Sequence, residues 1–164
     1  MTPRSRRHWL ALGLALIVSA CAQVPRAPKV PGEIRTQWSG RLALKVESEP
    51  VQSFFAAFDL RGNARTGELS LFSPLGSTIA RMAWAPGDAQ LSWNGQQRRF
   101  ESVEALTREA TGTELPIASL FQWLAGEATQ AQGWSADLRN LADGKLVAQR
   151  TQPAPAVEMR LILD

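Results

Sequence analysis

The chain has 164 residues, with 18 Lys+Arg against 15 Asp+Glu and a formal net charge of +3. Arg4, Arg6 and Arg7 fall in the first twenty residues with no acidic partner, so residues 21–164 carry 15 groups of each sign and no charge block that would suit nucleic acid. The only cysteine is Cys21, which excludes an internal disulfide, and the only histidine is His8. With the first twenty residues removed and Cys21 lipidated, no imidazole or free thiol would remain for the usual metal or nucleophile sites.

Residues 1–20 read as a removable signal: the basic start, the apolar stretch Trp9–Val18, then Val18-Ser19-Ala20 ahead of Cys21. The apolar run is about half of the roughly 20 residues that a membrane-spanning helix needs. Val-Ser-Ala-Cys resembles a lipobox, in which the peptide is cut before the cysteine and the thiol is diacylated. Cys21 is therefore the expected lipidation site. Residues 21–36 read as a tether, because Pro25, Pro28 and Pro31 block helix and ladder alike. The 17 residues from Cys21 to Trp38 reach at most about 50–60 Å. Ala22 stands where an aspartate signals inner-membrane retention in such lipoproteins, so the expected address is the outer membrane, lipid-anchored and facing the periplasm.

A single domain is expected over 37–164. It opens with alternation: Trp38, Gly40, Leu42, Leu44 and Val46 share one face, and Ser39, Arg41, Ala43 and Lys45 the other. Phe54–Leu60 is a strand with apolar groups on both faces, followed by a turn at Arg61-Gly62-Asn63. Leu69 and Leu71 mark a third strand and Thr78–Trp84 a fourth. Pro86-Gly87 turns the chain into Leu91 and Trp93, and Asn94-Gly95 predicts a hairpin with Gln96–Phe100. Ser102 is the expected N-cap of a helix over Val103–Thr111, closed by Gly112. Pro116 suits the first turn of a second helix, in which Ile117, Leu120, Phe121 and Leu124 keep i, i+3, i+4, i+7 spacing before Gly126. Strands return at Trp134–Leu138, Lys145–Thr151 and Val157–Leu163.

This order predicts an α+β fold: a curled antiparallel sheet forming a half-open β-barrel, with the helical pair as a short lid over its concave face. Periodicity leaves open whether the interior is a packed core or an apolar cavity. Between the third and fourth strands, Pro74 and Gly76 force a tight turn with Leu75 at its tip. That side chain either folds back on the sheet or, on a membrane-tethered protein, projects to touch lipid.

Several segments in this order resemble the LolB family of outer-membrane lipoproteins. They are Gly40-Arg41-Leu42-Ala43, Ser73-Pro74-Leu75-Gly76-Ser77-Thr78, Leu115-Pro116-Ile117, Leu120-Phe121-Gln122-Trp123-Leu124-Ala125-Gly126 and the closing Met159–Leu163 strand. The resemblance implies a half-open barrel whose lid covers an apolar cavity. It implies a protein, not an enzyme, that accepts lipoproteins from a LolA-like periplasmic carrier, shelters their acyl chains, and inserts them into the inner leaflet of the outer membrane. On this footing Pro74, Leu75 and Gly76 form the membrane-insertion loop. The cavity candidates are Leu42, Leu44, Phe58, Leu60, Leu69, Leu71 and Trp84 from the sheet, with Ile117, Leu120, Phe121 and Leu124 from the lid. No cofactor, metal or nucleic acid is implied, and a monomer suits the role. The competing expectation is a structural or assembly lipoprotein that binds a protein partner through a sheet edge or the Leu75 loop. A membrane hydrolase is a third, disfavoured by the lack of histidine in residues 21–164.

Overall fold

The computed structural model describes residues 36–131 and 133–164, which lie in the compact unit Ile34–Asp164. The expected signal at 1–20, Cys21 and all of the expected tether 21–36 but Thr36 lie outside the described residues. Nine strands and two α-helices follow in the order β1 (Gln37–Val46), β2 (Gln52–Gly62), β3 (Gly67–Phe72), β4 (Thr78–Ala85), β5 (Asp88–Trp93), β6 (Gln96–Phe100), α1 (Val103–Thr111), α2 (Ile117–Leu124), β7 (Trp134–Asp137), β8 (Lys145–Arg150) and β9 (Val157–Leu163). All pair antiparallel in one sheet of order β6-β5-β4-β3-β2-β1-β9-β8-β7. Its edges β6 and β7 do not pair with each other among the described residues, so the sheet curls without closing.

The alternation in the sequence becomes the two faces of this sheet. Along β1, Trp38, Gly40, Leu42, Leu44 and Val46 are buried, and the residues between them are half-buried or exposed. β9 repeats the pattern with Val157, Met159 and Leu161 inward. The inward residues of all the long strands join the helices in one apolar cluster. Both open edges discourage pairing with another chain: β7 has four residues, and β6 is Gln-Gln-Arg-Arg-Phe, largely exposed.

Local signals account for most boundaries. Ser102 Oγ accepts from Ala105 N at 3.1 Å, and Gly112 ends α1 in the left-handed region. The hairpin at Asn94-Gly95 joins Trp93 to Gln96 in register. Four details differ from the sequence reading. Arg61 and Gly62 stay in β2, because Asn63 Oδ1 accepts from Arg65 N (2.8 Å) and Thr66 N (3.0 Å) and moves the turn onward. Pro116 sits one residue before α2, its carbonyl accepting from Leu120 N at 2.8 Å. β7 stops at Asp137, whose carboxylate accepts from Arg139 N, and a short 3₁₀ turn at Leu141–Asp143 leads to β8. β8 ends at Arg150, its last residue paired with both β7 and β9.

Gly40 is where the sheet is tightest. It pairs with Phe58 of β2 and Leu163 of β9, and a Cβ at this position would stand 2.0 Å from the Ile162 carbonyl oxygen. That oxygen is backbone and cannot swing away, so any side chain forces β9 off β1. Gly40→Ala is therefore expected to destabilise the fold by roughly 1–3 kcal/mol, and Ser102→Ala by about 1 kcal/mol through the lost cap. Urea denaturation of the two variants checks both values, with the glycine variant the weaker.

Candidate functional site

The strand directions give the sheet two ends. β1, β3, β5 and β8 end where the 47–51 turn, the Ser73–Ser77 loop, Asn94-Gly95 and the 151–156 turn gather. This is the loop end. The far end carries Gln37, the turns at 63–66 and 86–87, the start of α1, and Asp164.

At the loop end, Ser73 N donates to Ser77 O (2.8 Å) and Gly76 N to Ser73 O (2.9 Å), while Ser77 N donates to Ser73 Oγ (3.2 Å). Gly76 has φ +82°, a conformation a side chain strains, and Pro74 fixes the backbone before it. The turn is thus locked by its own hydrogen bonds. Leu75 at its tip is 94% exposed, so it projects rather than folding back on the sheet.

The expected cavity residues are all buried and all belong to one cluster. Leu42 and Leu44 come from β1, Phe58 and Leu60 from β2, Leu69 and Leu71 from β3, and Trp84 from β4. Ile117, Leu120, Phe121 and Leu124 face them from α2. Phe121 forms the wedge between lid and sheet. Its ring lies 5.5 Å from Trp38 at 68° and 6.3 Å from Trp84 at 60°, both edge-to-face. Such contacts add about 0.5–1.5 kcal/mol each to the area buried. The Trp84 indole N–H donates to Asn63 O at 3.1 Å, and that of Trp123 to Thr129 O at 2.8 Å, so both rings are fixed by polar as well as apolar contacts.

The sequence reading did not single out Met82, Leu106, Trp123, Leu146 or Met159 as lining, yet each is fully buried in the same cluster. Alternation in β4, β8 and β9 marks three of them. For Leu106 and Trp123 the cap and the i, i+3 spacing show a helix but not how deeply it sinks. A depression of about 310 Å³ lies elsewhere, at the far end, between the 63–66 and 86–87 turns and the start of α1. Of the expected cavity residues only Trp84 touches it. Phe121 and its neighbours on α2 are buried against the sheet.

Charge is kept to the outside except at Arg150, which is buried at the end of β8 against the Trp134 ring, its Nη2 donating to Pro155 O (3.3 Å) and its Nε without a hydrogen-bond partner. Every ion pair among the described residues is solvent-facing, including Lys45 Nζ to Glu47 (2.7 Å) and Arg160 Nε to Glu158 (2.7 Å). The hydrogen bond from Lys45 to Glu47 raises the lysine above its ordinary pKa, and Arg160 with Gln149 holds Glu158 below the usual carboxylate value. The described residues hold no group of three or more metal-ligating side chains. Among them, no helix is long and apolar enough to cross a membrane.

Residues 35–158 match the family described as Outer membrane lipoprotein LolB. The outer-membrane lipoprotein LolB of Bordetella petrii is 33% identical, the alignment covering 96% of this chain and 92% of that one. That of Bordetella pertussis is 34% identical, over 98% and 96%, and that of Cupriavidus necator 36% identical, over 77% and 68%. With the curled sheet, the lid and the projecting leucine in place, the chain belongs to the LolB family of outer-membrane lipoproteins.

Proposed function

We propose that this protein accepts lipoproteins from a LolA-like periplasmic carrier, shelters their acyl chains between the sheet and α2, and releases them into the inner leaflet of the outer membrane. The observation that carries the reading is Leu75, a large apolar side chain held out at 94% exposure by a locked turn on a member of an outer-membrane lipoprotein family. In this reading Cys21 bears the lipid anchor and residues 21–36 are the tether. Residues 37–164 form the working domain, and it acts as a monomer.

Energetics fix how such a transfer runs. Burying one methylene is worth about 0.8 kcal/mol, so three long acyl chains in water cost some tens of kcal/mol. The chains must then pass from one apolar environment to the next without crossing bulk water. Displacing Phe121 forfeits two ring contacts and the burial of one side chain, of the order of 3–5 kcal/mol. That is small beside the chains it admits. An interior lined mostly by aliphatic and aromatic groups, with Arg150 its one buried charge among the described residues, holds chains chiefly by area and so holds them weakly enough to release.

Leu75→Glu is expected to fold and anchor like the parent while losing most delivery, because a carboxylate at the tip resists entry into lipid. Transfer of a labelled lipoprotein from purified carrier to vesicles measures this; unchanged delivery would refute the role given to the loop. Phe121→Ala is expected to lose about 3–5 kcal/mol of stability and to take up a fluorescent fatty acid faster than the parent. Phe121→Leu, which keeps most of the volume, should fall between them. A series with no change in uptake would mean that chains do not enter past α2.

A further inference from the structure

Leu75 is not the only large apolar side chain exposed at the loop end. Phe55 is 66% exposed and Val51, in the turn ahead of β2, is 54% exposed. An isolated exposed aromatic needs no explanation, but Phe55 is not isolated. It lies on the convex face of the sheet, the side opposite Phe54, Ala56 and Phe58. Register places it beside Ala43 of β1, and two residues further along Ala57 pairs with Phe72, the last residue of β3 before the Leu75 loop. Ala43, Phe55, Ala57 and Phe72 therefore make an uncharged strip across three strands that continues into the loop. Arg41 and Lys45 flank Ala43 on the same face, Lys45 in an ion pair with Glu47, so Arg41 is the cation that stands beside the apolar strip.

The attachment of the chain bears on what covers this strip. β1 starts at the far end and, with ten residues, runs about 33 Å to the loop end. The 17 residues from Cys21 to Trp38 reach about 50–60 Å when extended. A lipid at Cys21 thus leaves enough chain for the loop end to turn back onto the same membrane that holds the anchor. Apolar surface with a cation beside it suits a phospholipid interface, where an aromatic ring sits at the headgroup boundary and basic groups reach the phosphates.

We propose that Phe55 and the strip it heads seat in the phospholipid interface beside Leu75, so that the body docks on the bilayer along the convex side of its loop end and not through one leucine. This rests on the membrane role given to Leu75 above, and the test separates the two. The only cysteine of the sequence is Cys21, so Phe55→Cys, Leu75→Cys and Ala142→Cys each give the mature lipidated protein one free thiol. Position 142, in the exposed 3₁₀ turn at the far end, is the control. Each variant carries an environment-sensitive fluorophore and is reconstituted in phosphatidylethanolamine–phosphatidylglycerol vesicles with brominated acyl chains. The expected result is loss of most of the fluorescence at 55 and at 75, and none at 142. Quenching at 75 without quenching at 55 overturns the proposal and leaves the loop reading standing; quenching at neither overturns both. Equal quenching at 142 also overturns it, because the body would then have no oriented seat. So would a position 55 left unquenched by lipid but shielded when carrier is added, which would make the strip a protein-docking surface.

Discussion

A curled sheet that does not close has to cover its concave face, and most of this structure follows from that requirement. Eight of the nine strands among the described residues turn buried aliphatic and aromatic side chains to one side. Left bare, that side would expose far more contiguous apolar surface than a protein in water tolerates. The chain covers it with two short helices placed in sequence between β6 and β7, the two edge strands, where no ladder is interrupted by the insertion. α1 packs on β4, β5 and β6, and α2 drives Phe121 between Trp38 and Trp84. The cover is therefore joined to the sheet by a few side chains and not by backbone pairing. Side-chain contacts of that kind can be given up locally while the ladder stays intact.

How much of this was legible in the sequence depended on whether the signal was local. Period-two alternation in β1 and β9, the Asn94-Gly95 hairpin and the Ser102–Gly112 caps are settled within a few residues, and they placed the elements well. Boundaries slipped where a side chain outbid a turn signal. Asn63 held the turn after β2 two residues later than Arg61-Gly62-Asn63 suggests, and Asp137 cut β7 short. The bulge between Leu71 and Phe72, which shifts β4 by one residue just below the Leu75 loop, left no mark in the pattern.

The site divides in the same way. Pro74 and Gly76 locate the turn, but the sequence left open whether Leu75 projects or folds back; three hydrogen bonds around Ser73 decide it. Each residue named as lining is buried, because inward position follows from alternation. What no alternation could reveal is that Phe121 meets two tryptophans separated from it by 83 and 37 residues of chain, Trp38 and Trp84. Nor could the strip headed by Phe55 be read from β2 alone, since apolar groups on both faces of a strand say nothing about which face is left uncovered.

On the proposed reading, the wedge at Phe121 also bears on the direction of transfer. A permanently open greasy cleft would hold whatever apolar chain reached it, with an affinity that grows by about 0.8 kcal/mol for every methylene sheltered. Release would then become the slow step. If the lid returns Phe121 to its place between the tryptophans when chains depart, part of the burial lost with the cargo is recovered by the protein itself, of the order of 3–5 kcal/mol. The free energy of holding a chain is lowered by that amount, and the balance moves toward the bilayer without any energy source. In the same proposal, seating the loop end in the interface would shorten the path that remains, since a chain leaving beside Leu75 would meet hydrocarbon and not water. In the proposed transfer, the wedge, the locked turn and the uncovered strip would be parts of one partition, each lowering the cost of a step that water would otherwise forbid.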